Sequence, residues 1–259
     1  MASTIRTLAD RVWDHVLRTE PHHALRNGQP VERLPSGWLD ETEERAAVGR
    51  SVREALDVIT FAEPLADVER FLSPEEVHDL GLTQVAELTE QMAKVRAEVG
   101  FDGSEAAYRR VLEADERPHA RSADDVAATY RRHLAAIEPL VGQWFSVLPK
   151  AGYEVERLDP ELEAGLSYGY YEQPGPTTPA GRYRYNGSGL GTRSQINAAS
   201  LIFHELVPGH HFHLARQEED TGLHPVRGLL APELLGTYTE GWAEYAASLG
   251  MEMGLYIDP

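Results

Sequence analysis

His204, His210, His211 and His213 gather four of the chain's 11 histidines into residues 203–213, and Glu205 directly follows the first of them. Neutral imidazole nitrogens and carboxylate oxygens are ligands for a borderline divalent cation such as Zn2+. A further carboxylate beside the ion can take a proton from water. On an unbroken helix the two histidines of such a site stand four residues apart, with the intervening glutamate facing the water. Here the residue four after His204 is Pro208, and the next histidines are His210 and His211. Pro208 has no N–H to give to the carbonyl of residue 204, and Gly209 tolerates dihedrals that other residues avoid. The spacing predicts a bulge or break that absorbs two residues and returns His210 to the ligand position. His211 is the alternative, because seven residues return to nearly the same helix face. On an unbroken helix, however, it would lie about 10 Å along the axis from His204.

A third ligand is offered by Glu240, which stands among Tyr238, Trp242 and Tyr245, where an unpaired carboxylate would be costly. Glu244, one turn on, is the fallback. The plainer readings are a set of satisfied core histidines and a solvated helix glutamate; four clustered histidines beside a glutamate weigh against the first. His213 and His224 read as surface or supporting residues. The tyrosine-rich segment 168–185 reads most simply as sheet packing. Its functional reading is an edge strand that pairs with an extended peptide, with Tyr183, Tyr185 and His211 as candidate substrate contacts.

The chemistry this predicts is zinc-dependent hydrolysis of an amide bond in a peptide or peptide-like small substrate. Glu205 is the general base and later the donor to the leaving amine. Two alternatives stand beside it. One is a protein that binds the metal without catalysis. The other is a non-haem iron enzyme with two histidines and one carboxylate, whose chemistry has no need of the adjacent Glu205.

The elements that must position these residues are mostly helical. Apolar periodicity predicts helices over 3–26, 41–62, 83–99 and 104–112, and a short one over 73–81. Ser73-Pro74-Glu75-Glu76 is a helix start with a capping box, and Gly81 and Gly100 read as stops. Ser122 opens a helix that Pro139 kinks or splits before it resumes to Leu148. After Pro149 the pattern changes. Short alternating strands are predicted near 153–156, 166–171 and 182–186. A glycine-rich turn at 187–191 leads into a helix over 193–205, and a final helix over 232–253 carries Glu240. The expected fold is mainly α with a small antiparallel β-sheet, arranged as a helical region 1–150 followed by 151–259 with the sheet and two metal-site helices. The two parts read as one continuous globular unit.

Composition narrows the partners. The chain has 259 residues, with 42 acidic against 24 basic residues and a net charge of −18. Such a surface repels nucleic acid and anionic membrane. With no cysteine, disulfides and Cys-ligated metal are excluded, so any metal must sit on His, Asp or Glu. The N-terminus carries no recognisable secretory signal and no apolar run is long enough to span a bilayer, so a soluble cytoplasmic protein is expected.

His204-Glu205-Leu206-Val207-Pro208-Gly209-His210-His211 followed by Glu240-Gly241-Trp242-Ala243 resembles the DUF885 family of bacterial proteins. Segments 73–81, 99–101 and 179–183 look like it too. The resemblance implies a similarity to gluzincin metallopeptidases, with His204, His210 and Glu240 as zinc ligands and Glu205 as general base. It also implies a zincin architecture that is incomplete here. Family members are longer, with a large helical segment after the helix of Glu240. Self-association or a partner chain covering that half is therefore an expectation as well.

Overall fold

The structure is a computed structural model that describes residues 2–31, 43, 46–50, 73–228 and 236–256. The helix expected over 41–62 falls largely outside these residues, as does the start of the helix expected over 232–253. The described residues form two compact units. One holds the residues up to 50 and 118–256, and the other holds 73–117. Residue 150 lies inside the first.

The second unit carries α3 (Pro74–Glu98) and α4 (Glu105–Glu113). Ser73 accepts from the N–H of Glu76 at 3.1 Å while its own N–H donates to the Glu76 carboxylate at 2.8 Å, so the capping box is formed. Gly81 does not end this helix. A mid-helix glycine costs about 1 kcal/mol relative to alanine, and 25 continuous residues absorb that. None of the residues of α3 is buried.

The first unit holds α1 (Ala2–Thr19), α2 (Pro21–Arg26), α5 (Ala123–Trp144), α6 (Ala198–Glu205), α7 (His210–Glu219) and α8 (Gly236–Glu252). Pro139 lies inside α5 without splitting it, and the helix stops at Trp144 rather than near Leu148. The strands are β1 (Tyr153–Arg157), β2 (Gly169–Glu172) and β3 (Gly181–Tyr185), in the order β1-β3-β2. The expected antiparallel sheet is in fact mixed, for β1 runs parallel to β3 while β2 runs antiparallel to it.

The core lies between α5 and the motif helices. Val126, Tyr130, Leu134, Ile137 and Val141 recur on one face of α5 and are buried against Val155, Tyr183, Ile202, Phe203 and Phe212. Each such large side chain contributes about 1.5–3 kcal/mol on burial. β3 is the central strand, and alternate residues Gly181, Tyr183 and Tyr185 point into this core. α6 packs against both α5 and α8, and α8 also packs on α7. The motif is thereby held from two sides.

Candidate metal centre

The predicted break is present. α6 ends at Glu205, α7 begins at His210, and Val207–Pro208 is a cis peptide. The Gly209 N–H reaches back to the Phe203 carbonyl at 2.9 Å and the His211 N–H to that of Leu206 at 3.2 Å. Gly209 passes so close to the preceding helix that a Cβ there would sit 1.7 Å from the His204 carbonyl oxygen. From the facing helix, the Trp242 indole N–H donates to the carbonyls of Pro208 and Gly209 at 3.2 and 3.0 Å. The Trp242 of the later motif therefore secures the bend of the earlier one.

The break brings His204 and His210 together, with ring centroids 4.7 Å apart. Glu240 on α8 faces both: its Oε2 is 3.3 Å from His204 Nε2 and 3.7 Å from His210 Nε2. One donor atom from each of the three lies within 4.8 Å of the other two, so this trio could hold a metal. The fallback residue Glu244 lies on the opposite edge of the His204 ring, 3.3 Å from Nδ1. Burial and the neighbouring His204 push His210 down to about 4, so its imidazole is neutral at ordinary pH. Burial, and then the charge of Glu240, raise Glu205 to about 8, against the opposing pull of the Tyr171 backbone N–H.

His211 is turned away from this trio. Its Nε2 is 3.0 Å from the Ala151 carbonyl, and its Nδ1 is 2.9 Å from the Tyr171 hydroxyl. A carbonyl only accepts, so Nε2 carries the proton and Nδ1 accepts from the tyrosine. Both nitrogens are thus engaged, and the ring is 1% exposed. This placement does not match the expectation of His211 as alternative ligand or substrate contact. The same holds for Tyr183 and Tyr185, which are 0% and 4% exposed. They sit on the core face of the central strand, with the Tyr183 ring edge-on to Tyr130 at 5.3 Å. His213 packs on Tyr238, and His224 pairs with Asp10 at 3.0 Å.

Tyr171 was not singled out by spacing, yet it links several parts of the site. Its ring stacks on His210 at 6.2 Å, its N–H serves Glu205 and its hydroxyl serves His211. Gly181 opposite makes the room, since a Cβ there would lie 2.5 Å from both the Tyr171 hydroxyl and His211 Nδ1. A cavity of about 720 Å³ runs over this ground. Its lining includes His204, Glu205, His210 and Glu240 together with Tyr171 of β2 and Arg26 of α2. The signal that could have found Tyr171 is its place on an edge strand beside the motif, but its partners are 40 residues away in sequence.

The family model for DUF885, described as bacterial protein of unknown function, matches residues 65–259, and the chain belongs to that family. A solved structure from Colwellia psychrerythraea, described as that of a candidate lipoprotein, is similar in fold, with a TM-score of 0.63 and 24% identity. The match covers 75% of this chain and 34% of that one, so this chain spans about a third of that protein's length. No curated protein matches. The fold is mainly helical with a small three-stranded mixed sheet. Among the described residues no helix is long and apolar enough to cross a membrane.

Proposed function

We propose that the chain is a zinc-dependent hydrolase that cleaves an amide bond in a peptide or peptide-like small substrate. The observation that carries this reading is the convergence of His204, His210 and Glu240 in one cavity with a separate half-buried carboxylate, Glu205. The donor set suits zinc. Two neutral imidazoles and one carboxylate leave a fourth position open, and bonds of about 2.0 Å in a tetrahedron put donor atoms about 3.3 Å apart. The Glu240 contacts at 3.3 and 3.7 Å are close to that edge. His204, His210 and Glu240 are the residues that would hold the ion.

A zinc ion held there supplies Lewis acidity, polarising the substrate carbonyl and lowering the pKa of water. Glu205 accepts the water's proton and returns it to the leaving amine. A carboxyl raised to about 8 suits both directions of that transfer near neutral pH. The Tyr171 N–H favours the ionised form of Glu205, and the stacked Tyr171 ring fixes the orientation of His210. Glu244, at Nδ1 of His204, orients that imidazole so that Nε2 faces Glu240.

A second reading, metal binding without catalysis, is favoured by one observation. The Glu240 side chain is 62% exposed and that of Glu244 78% exposed, so this wall of the site is open to water. The Glu205→Gln variant separates the two readings. Hydrolysis of short peptides by the zinc-loaded chain that disappears in Glu205→Gln, with zinc still bound, supports the hydrolase. Zinc binding with no hydrolysis by either chain supports the silent reading.

A further inference from the structure

The cavity over the metal trio carries a recognition group that the chemistry above does not use. Arg26, on the short α2 far from the motif in sequence, lines the same cavity as His204, Glu205 and His210. Its side chain is only 17% exposed, and burial lowers its pKa from the ordinary value. The guanidinium is held from two directions through one nitrogen: Nη2 donates to the Pro174 carbonyl at 2.7 Å and to Glu218 at 3.2 Å. The Thr177 hydroxyl donates to the Arg26 carbonyl at 2.9 Å, which fixes the backbone beneath it. A guanidinium has five N–H donors in a rigid fork, and these contacts use one nitrogen of the three. Tyr171 lines the same cavity as Arg26, and its ring stacks on His210. Arg26, Tyr171 and the His204, His210 and Glu240 trio therefore line one cavity.

The other charged groups lining the cavity are already committed. Arg182 is taken by two carboxylates, Glu156 at 3.2 Å and Glu172 at 3.0 Å, which also neutralises Glu172. Glu205 and Glu240 belong to the hydrolytic centre. Among the described residues lining the cavity, no carboxylate is left over to receive a substrate's free ammonium. Arg26 has one carboxylate contact and donors to spare. In a chain of net charge −18, a buried cation on the wall of a cavity is a selective feature.

We infer that Arg26 anchors the free terminal carboxylate of the substrate. The substrate class is then short peptides, or acylated amino acids, that end in a carboxylate close to the cleaved bond. This rests on the hydrolase reading and names the substrate end it recognises. The cavity volume is in the range of small-ligand sites. Arg26 and the metal trio line this one cavity, so the carboxylate and the bond cleaved share it. Internal segments of proteins, which have no such carboxylate, would leave Arg26 without its second partner.

The test is retention of a randomised tripeptide library on the immobilised, zinc-supplemented Glu205→Gln chain, read by mass spectrometry. The library is made once with a free C-terminal carboxylate and once as the C-terminal amide. The free acids should be retained about tenfold or more over the amides, as expected for one charge-assisted fork. Arg26→Lys should reduce that ratio severalfold, and Glu218→Gln, which removes the competing carboxylate, should raise it. A purely structural Arg26 would leave the ratio near one. A ratio near one in the Glu205→Gln chain, with Arg26 and Glu218 intact, overturns the inference. So does a high ratio that Arg26→Lys and Glu218→Gln both leave unchanged, or no retention of either library. Zinc content, measured on the same column, tells the two failures apart. With zinc bound, only the Arg26 anchor falls; without it, the metal reading falls as well.

Discussion

The Nδ1 nitrogen of His204 lies 3.3 Å from a carboxylate oxygen of Glu244. Glu240, one helical turn earlier, meets the opposite edge of the same ring at Nε2. The two glutamates of α8 therefore divide the imidazole between them, one facing the proposed metal position and one behind it. A carboxylate behind a ligating histidine fixes its tautomer and raises its basicity. Glu244→Gln should weaken zinc binding by roughly 10–100-fold without abolishing it, whereas Glu240→Gln should cost more. Competition with a chelator of known affinity measures both. Equal affinities in the parent and Glu244→Gln would remove the orienting role.

The choice of ligand can be tested with neighbouring residues. His210→Ala should lose zinc. His211→Ala should keep it, because His211 spends its nitrogens on Tyr171 and Ala151. The cost of His211→Ala is structural, roughly 2–3 kcal/mol from a buried hydroxyl and carbonyl left without their partner. Zinc stoichiometry and urea unfolding on the two variants read these outcomes separately.

The bend between the two histidines depends on close approach rather than on propensity. Gly209→Ala would put a Cβ 1.7 Å from the His204 carbonyl, which backbone movement alone can relieve. It should destabilise by about 3 kcal/mol or more, and zinc binding should be lost with the ligand geometry. Trp242→Phe keeps the ring but removes the N–H that holds Pro208 and Gly209. A loss of about 1–3 kcal/mol is expected there. Chemical denaturation curves with and without zinc measure both.

A pH dependence follows from a pair away from the site. The Glu163 side chain is 4% exposed and lies 2.8 Å from Arg157, and one of its oxygens also accepts the Gly187 N–H at 2.8 Å. Arg157 holds this carboxyl below its ordinary value. The folded pKa is thus lower than the unfolded one, and the stability this contributes is fully present above the unfolded value of about 4.3. It is lost as pH falls through the depressed folded value. The Glu163→Gln chain should be less stable than the parent at pH 7, and the difference should shrink toward acid. Unfolding midpoints from pH 7 down to pH 3 check the direction. A difference that grows toward acid would contradict it.

The sequence made the break legible because a proline at the second-ligand position and a following glycine leave few local alternatives. His210 was reachable from that, and Ser73 declared its capping box four residues at a time. The sheet was less legible. Alternation in 182–186 says which residues share a face but not which face is buried, so it leaves sheet packing and substrate contact both open for Tyr183 and Tyr185, which are core. Nor does alternation give direction, and β1 proved parallel to β3. Tyr171, Ala151 and Arg26 have no motif at all, and nothing in segment 179–183 marks Gly181 as a neighbour of Tyr171 and His211. They reach the site through tertiary contacts spanning tens of residues, which no local spacing records.

The central claim is that His204, His210 and Glu240 form one metal site, and the most direct test is the metal content of the purified chain beside that of His210→Ala. One zinc per chain, lost in His210→Ala, is the predicted result. A purified chain that takes up no stoichiometric metal, or a His210→Ala chain that holds zinc as tightly as the parent, would contradict it.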